Sequence, residues 1–301
     1  MFRTRLLAAA FAATALAGGG CARNPATGEQ ELMLVSEAQE IEMGRQYDQE
    51  VVATIGLYPD PGLQRYVQDL GARLAATSER QDLPWTFRVV DDPAVNAFAL
   101  PGGFIYVTRG IMAHLNSEAA LASVVGHEIG HVTARHSASQ ISKQQLAGLG
   151  LALGSIASSA IERHAGLASQ ALGVLFLKFS RDDENQADRL GLRYLERANY
   201  DPRQMPQVFR LLDRLSQNQS GGRLPEWLST HPTPANRLDR INSQIQALPQ
   251  DFSGTIVNRD AYARRLDGMM FGMNPREGFF KGGEFFHPDL RFQLSFPSGW
   301  S

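Results

Sequence analysis

His127, Glu128 and His131 form an HExxH motif inside Val125 to Val132. Histidines four residues apart share one face of an α-helix, one turn apart, so both imidazoles can reach the same ion. Zinc is the usual ion at this spacing. Glu128 follows the first histidine by one residue and projects beside that ion. A carboxylate there can take a proton from an activated water and return it to a leaving amine. The chemistry implied is metal-assisted hydrolysis, most often of a peptide bond. The bare motif also arises by chance on amphipathic helices. Here Ala119 to Val125 are small and mostly apolar, which reads as a buried helix, with Ser117 as its cap and Glu118 in its first turn. Two histidines and a glutamate on a buried helix are costly unless paired or bound to a metal.

A structural zinc site closes with four protein ligands, whereas a hydrolytic one keeps three and an open position. Cys21 is the single cysteine and lies far off, so a thiolate site is excluded and the third ligand is a His, Asp or Glu. His136 stands five residues past His131, off the two-histidine face, and reads as a helix-end histidine favoured by the dipole. Ala134 and Ser137 break the longer pattern that would put a glycine and a third histidine there. Glu184, within Ser180 to Asp188, is the better candidate. Ser180 reads as an N-cap followed by a first turn of acids. Asp188, four residues on, could accept a hydrogen bond from a ligand histidine and orient its ring. Taken alone, the same segment also reads as a solvated acidic helix start.

The motifs taken together carry more. HExxH, then Ser180-Arg181-x-x-Glu184-x-x-Ala187-Asp188, then Thr230-His231-Pro232 with Arg237 behind it, resemble the M48 family of zinc metalloproteases. Asn96 to Gly103 resembles the family's segment ahead of the active-site helix, and the resemblance spans roughly residues 24 to 245. It implies a gluzincin site: zinc on His127, His131 and Glu184, with Glu128 as general base and acid. It also implies that His231 and Arg237 approach from a later loop to stabilise the oxyanion, or that the histidine caps the metal at rest. From the residues alone, His231-Pro232-Thr233-Pro234 is a rigid turn, because each proline fixes φ and restricts its predecessor.

Around these residues the pattern predicts the elements that must hold them. Residues 85–90, 96–100 and 103–107 read as three strands, the last two joined by a Pro-Gly-Gly turn. A short sheet just ahead of the metal helix can offer an edge to an extended peptide. In the arrangement the resemblance implies, Asn96, Ala97, Phe98 and Ala99 are that substrate-binding edge. Helices are predicted over 36–55, 61–76, 202–215 and 235–248, and a helical pair acting as a lid over 141–161. The fold class expected is α+β, predominantly α-helical, with a small sheet ahead of the HExxH helix.

Residues 1–20 read as a signal peptide, with Arg3 and Arg5 ahead of an apolar run too short to span a bilayer. Ala15-Leu16-Ala17 is one cleavage signal and would release a soluble periplasmic protein. Gly19-Gly20-Cys21 is the other, and it makes Cys21 a lipidation site. Cys21 to Gly28 resembles the start of lipoprotein relatives, which favours membrane anchoring, with the outer membrane as the destination. With a formal net charge of −2 and interspersed signs, nothing suggests nucleic acid, and no nucleic-acid partner is expected. The expected layout is a metallopeptidase domain over 21–250 and a C-terminal extension over 251–301, rich in Gly and Phe, that opens a β unit and looks cut short. The expectation for function is a zinc endopeptidase of the bacterial cell envelope acting on unfolded or misassembled envelope proteins. The alternative is a periplasmic assembly factor or holdase whose hydrolysis is latent behind a His231 cap.

Overall fold

A computed structural model describes residues 21–155, 178–218, 226–231, 236–249 and 251–297. The leader over 1–20, residues 156–161 of the expected lid, the Pro232–Pro234 turn and the last residues lie outside that set. Strand β1 (Cys21–Arg23) pairs antiparallel with β2 (Gln30–Leu32). Helix α1 (Glu37–Thr54) opens on a capping box in which Ser36 and Gln39 satisfy each other's backbone N–H. Helix α2 (Pro61–Ala75) starts on the Asp60 cap with Pro61 in its first turn, where its missing N–H costs nothing.

Strands β3 (Thr86–Val90), β4 (Ala97–Leu100) and β5 (Phe104–Thr108) form one sheet in the order β3-β5-β4. The central strand β5 is parallel to β3 and antiparallel to β4. The tight β4–β5 turn needs two glycines: Gly102 and Gly103 both have positive φ. A Cβ on Gly102 would also fall 2.6 Å from the Ile41 backbone of α1. The strand that the resemblance made an edge is therefore at the sheet's edge.

Helix α3 (Arg109–His114) leads into α4 (Glu118–Thr133), which carries the HExxH motif and has all of its residues buried. Ser117 accepts the Ala120 N–H at its start. Helix α5 (His136–Ser155) follows almost at once. Helix α6 (Arg181–Arg197) opens on a second capping box, Ser180 with Asp183. Then come α7 (Gln204–Asn218), the short α8 (Glu226–Thr230) and α9 (Arg237–Gln246). The main hydrophobic core runs from α2 through the sheet and α4 to α6, α7 and α9.

The crossing of α4 and α6 is set by small residues. A Cβ on Gly130 would lie 2.8 Å from the Ala187 carbonyl oxygen, and one on Gly191 would lie 3.1 Å from the His127 nitrogen. The two backbones therefore approach closely along the stretch that carries the polar residues of both motifs.

Past residue 250 the chain stays on this body. Tyr262, in α10 (Arg259–Arg265), is 1% exposed and donates to the Met112 carbonyl. The buried Arg109 pairs with Asp91 and donates to the carbonyls of Met270 and Gly272. Strands β6 (Phe279–Lys281), β7 (Glu284–His287) and β8 (Phe292–Ser295) then form an antiparallel sheet in sequence order.

Candidate active site

Helix α4 presents His127 and His131 from successive turns, and α6 presents Glu184 and Asp188 from its own first two. Because the helices cross closely, all four side chains converge. The two Nε2 atoms of His127 and His131 lie 3.0 Å apart. Glu184 Oε1 is 3.4 Å from His131 Nε2, and Glu184 Oε2 is 3.6 Å from His127 Nε2. His231, at the end of α8, adds its Nδ1 at 2.9 Å from Glu184 Oε1 and 3.4 Å from His127 Nε2. One donor atom from each of these four residues lies within 4.8 Å of every other, and all four residues are buried.

This set fits a divalent metal with a preference for nitrogen and oxygen donors, as zinc has. Glu184 Oε2 is buried without a hydrogen-bond partner among the described residues. Its nearest cation is the Arg237 guanidinium, with Nη1 at 3.1 Å but no hydrogen bond formed, and a buried carboxylate facing three imidazoles favours a further cation. Burial works to raise the Glu184 carboxyl, but the charges and hydrogen bonds of His231, His131 and His127 hold it well below the usual carboxylate range. Burial lowers both His127 and His131, which favours the neutral imidazole that a metal requires.

Each histidine is oriented from behind. His127 Nδ1 is 3.0 Å from Asp188 Oδ1, the relation expected from the helical spacing. Asp188 in turn accepts two hydrogen bonds from Arg237, at 2.7 and 2.8 Å. Arg237 thus also supports the site from behind. It is wholly buried at the start of α9, with Nη1 3.1 Å from Glu184 Oε2 and its guanidinium 4.0 Å from the centre of the Phe209 ring. Asp188 engages Nε and Nη2, while Nη1 faces Glu184 Oε2 without a hydrogen bond among the described residues. His136 lies just past the end of α4, where it opens α5, and it is buried, its Nδ1 2.9 Å from His131 Nδ1 and its Nε2 2.6 Å from Gln186 Oε1. Burial, with His131 adding to it, takes its ring down to about 4.

Glu128 is held by a residue that its own motif does not point to. Trp227, also fully buried, donates its indole N–H to Glu128 Oε1 at 3.1 Å and stacks on His231 at 4.9 Å. The other oxygen, Glu128 Oε2, is buried with no partner among the described residues. Burial raises the Glu128 carboxyl, against the opposing charges of His231 and His131. His231 Nε2 lies 3.6 Å from Glu128 Oε1. Although burial lowers the His231 ring, Glu184 and Glu128 outweigh it and raise it overall. The one sequence signal for Trp227 is its spacing, four residues before His231 on one helix face.

The expected substrate edge stands next to this cluster. The Trp227 backbone N–H donates to the Val95 carbonyl, which ties α8 to the entry of β4. Ala97 and Phe98 are buried and Ala99 is half-buried, so β4 has mainly its backbone to offer a peptide. Asn96 Oδ1 is buried without a partner among the described residues. The cavities touching His127 and His131 from the core side hold only about 10 Å³ each, so both rings are closely packed behind. Phe179 packs on His131 from another side, with its ring centre 4.0 Å from that of the histidine.

Comparison with known proteins follows the same residues. Peptidase family M48 matches residues 61–245. The chain is 35% identical over 226 residues to the beta-barrel assembly-enhancing protease of Escherichia coli K12, covering 71% of this chain and 46% of that protein. It is 36% identical over 222 residues to the protein of the same name in Yersinia pestis, covering 70% and 45%. It is 39% identical over 180 residues to the mitochondrial metalloendopeptidase OMA1 of Arabidopsis thaliana, covering 58% and 35%. The chain thus spans less than half the length of these relatives.

Proposed function

The chain belongs to peptidase family M48, and on that premise we propose that it is a zinc-dependent endopeptidase of the bacterial cell envelope, cleaving unfolded or misassembled envelope proteins. The observation that carries this reading is the buried cluster of His127, His131, Glu184 and His231, set against a glutamate with one free oxygen. His127, His131 and Glu184 would hold the zinc. Bound there, zinc supplies Lewis-acid activation of water and of the scissile carbonyl.

The chain's own residues do the rest. Trp227 fixes one oxygen of Glu128 and leaves Oε2 free to take the proton of the attacking water. A carboxyl raised by burial keeps that proton long enough to deliver it to the leaving amine. His231, raised toward its charged form by the two glutamates, is the donor for the developing oxyanion. The backbone of β4 at Asn96 to Ala99 aligns an extended substrate by main-chain pairing, which asks little of its sequence.

The envelope location rests on the leader and on Cys21 as a lipidation site, with the outer membrane as destination. The substrate class rests on the relatives named for enhancing β-barrel assembly. Incubation with an unfolded outer-membrane β-barrel protein and with its folded form tests the reading. Cleavage of the unfolded form alone, abolished by chelation and restored by zinc, supports it. Cleavage indifferent to chelation would overturn it.

A second reading has its own observation. His231 lies within hydrogen-bonding distance of a ligand carboxylate and beside His127 Nε2, the posture expected of a histidine that caps the metal of a latent enzyme. An assembly factor of this kind would bind partners without cutting them, and His231→Ala would release hydrolysis.

A further inference from the structure

We propose that His136 is a positioning residue for the metal centre: it accepts the Nδ1 proton of His131 and fixes the tautomer in which His131 Nε2 faces the ion. This rests on the reading above, that the buried cluster holds zinc.

The inference starts from the backbone. Helix α4 ends at Thr133 with Ala134 as its C-cap, α5 begins at His136, and the chain reverses at Arg135 with φ of +60°, the left-handed region that a side chain with a Cβ disfavours. That turn is held from outside. Arg135 is 9% exposed, pairs through Nε with the buried Glu40 of α1, and donates from Nη2 to the Val35 carbonyl at 2.7 Å. Glu40 is shared with Arg80, 2.9 Å away. The consequence of the enforced turn is that His136 folds back over His131 and away from solvent.

The hydrogen-bond polarity then has one consistent assignment. Gln186 Oε1 can only accept, so the 2.6 Å contact requires the proton on His136 Nε2. A neutral imidazole protonated there has its lone pair on Nδ1. That atom, 2.9 Å from His131 Nδ1, must therefore receive a proton from it. His131 Nε2 is then bare, and it is the nitrogen that faces His127 Nε2 and Glu184. Reversing the Gln186 amide would reverse the chain and leave a proton on Nε2, pointing at the other donors. The two ligand histidines are thus backed by unlike acceptors: His127 by the carboxylate of Asp188, His131 by a neutral imidazole and an amide. Groups that orient a ligand imidazole from behind are worth about 10- to 100-fold in metal affinity.

The test is zinc affinity, read by competition with a chelator on the full chain, together with the visible absorption of the cobalt-substituted protein and thermal unfolding of the metal-free form. His136→Leu is expected to weaken zinc binding by about 10- to 100-fold. His136→Asn, whose Oδ1 can stand where the Nδ1 acceptor stood, is expected to recover most of that loss and the cobalt spectrum. Gln186→Leu, at a half-buried position, is expected to cost less than His136→Leu but measurably. Unchanged affinity in His136→Leu, or His136→Asn no better than His136→Leu with both folded, would overturn the proposal. If His136→Leu does not fold, unchanged affinity in Gln186→Leu overturns it instead. A wild-type chain that takes up no zinc sinks the metal reading and this inference together.

Discussion

At the scale of single residues, the site is built from groups that sequence spacing can find and groups that it cannot. His127, Glu128, His131, Glu184 and Asp188 are legible because each pair is one helical turn apart or set just inside a recognisable cap. His136 and Gln186 are not, because their partners lie on other elements, and for Trp227 the spacing from His231 gives the stack but not the bond to Glu128. Arg237 is legible as a site residue, but its role is not. Its engagement by Asp188 and Glu184 is a product of tertiary packing. The indole N–H of Trp227 gives the sharpest residue-level prediction. Trp227→Phe keeps the stack on His231 but removes the donor to Glu128 Oε1. A hydrogen bond to a charged group is worth about 1.5–3 kcal/mol. We therefore expect kcat to fall by about tenfold or more with little change in KM, measured by steady-state cleavage at saturating zinc. A fall confined to KM would mean that Trp227 contacts substrate and does not hold the base.

At the scale of elements, the caps and the period of the apolar residues are enough to give the helices and the three central strands. What they cannot give is how closely α4 and α6 pass. That distance follows from Gly126, Gly130, Gly191 and Ala187, which look unremarkable in sequence until the two helices are laid across one another. Gly130→Ala should be favourable by about 1 kcal/mol on helix propensity alone. The added Cβ, however, would lie 2.8 Å from the Ala187 carbonyl, and overpacking of this kind costs about 1–3 kcal/mol. We expect the clash to win, with lower thermal stability and weaker zinc binding, because Glu184 and Asp188 move with α6. Gly254→Ala, where nothing lies within 4 Å, serves as the control. A stabilised Gly130→Ala that binds zinc normally would show that the crossing does not set the site.

At the scale of the whole molecule, charged side chains tie the catalytic helices to the remainder of the body. Glu79 joins the α2–β3 connection to α6, accepting hydrogen bonds from Arg193 and Tyr194 and pairing with Arg197. Burial works to raise its carboxyl, but the hydrogen bonds from Tyr194 and Arg193 lower it overall. A carboxyl lower in the folded than in the unfolded chain stabilises the fold above its ordinary value, and that stability is lost as pH falls through the folded value. Metal-free Glu79→Gln should therefore unfold at a lower temperature than wild type at neutral pH, with the gap closing below about pH 4. A gap that is constant with pH would assign the loss to packing. Beyond these ties, residues 251–274 cover the body through Tyr262 and the Arg109 cluster, whereas composition alone reads them as the start of an extension. The central claim is that one zinc and Glu128 together hydrolyse peptide bonds, and its most direct test measures zinc stoichiometry and cleavage of an unfolded protein on the same samples of wild type and Glu128→Gln. We predict one zinc per chain in both, with cleavage in wild type and a loss of about 10²-fold or more in the variant. Cleavage that survives in Glu128→Gln, or a wild type that cleaves without zinc, would contradict it.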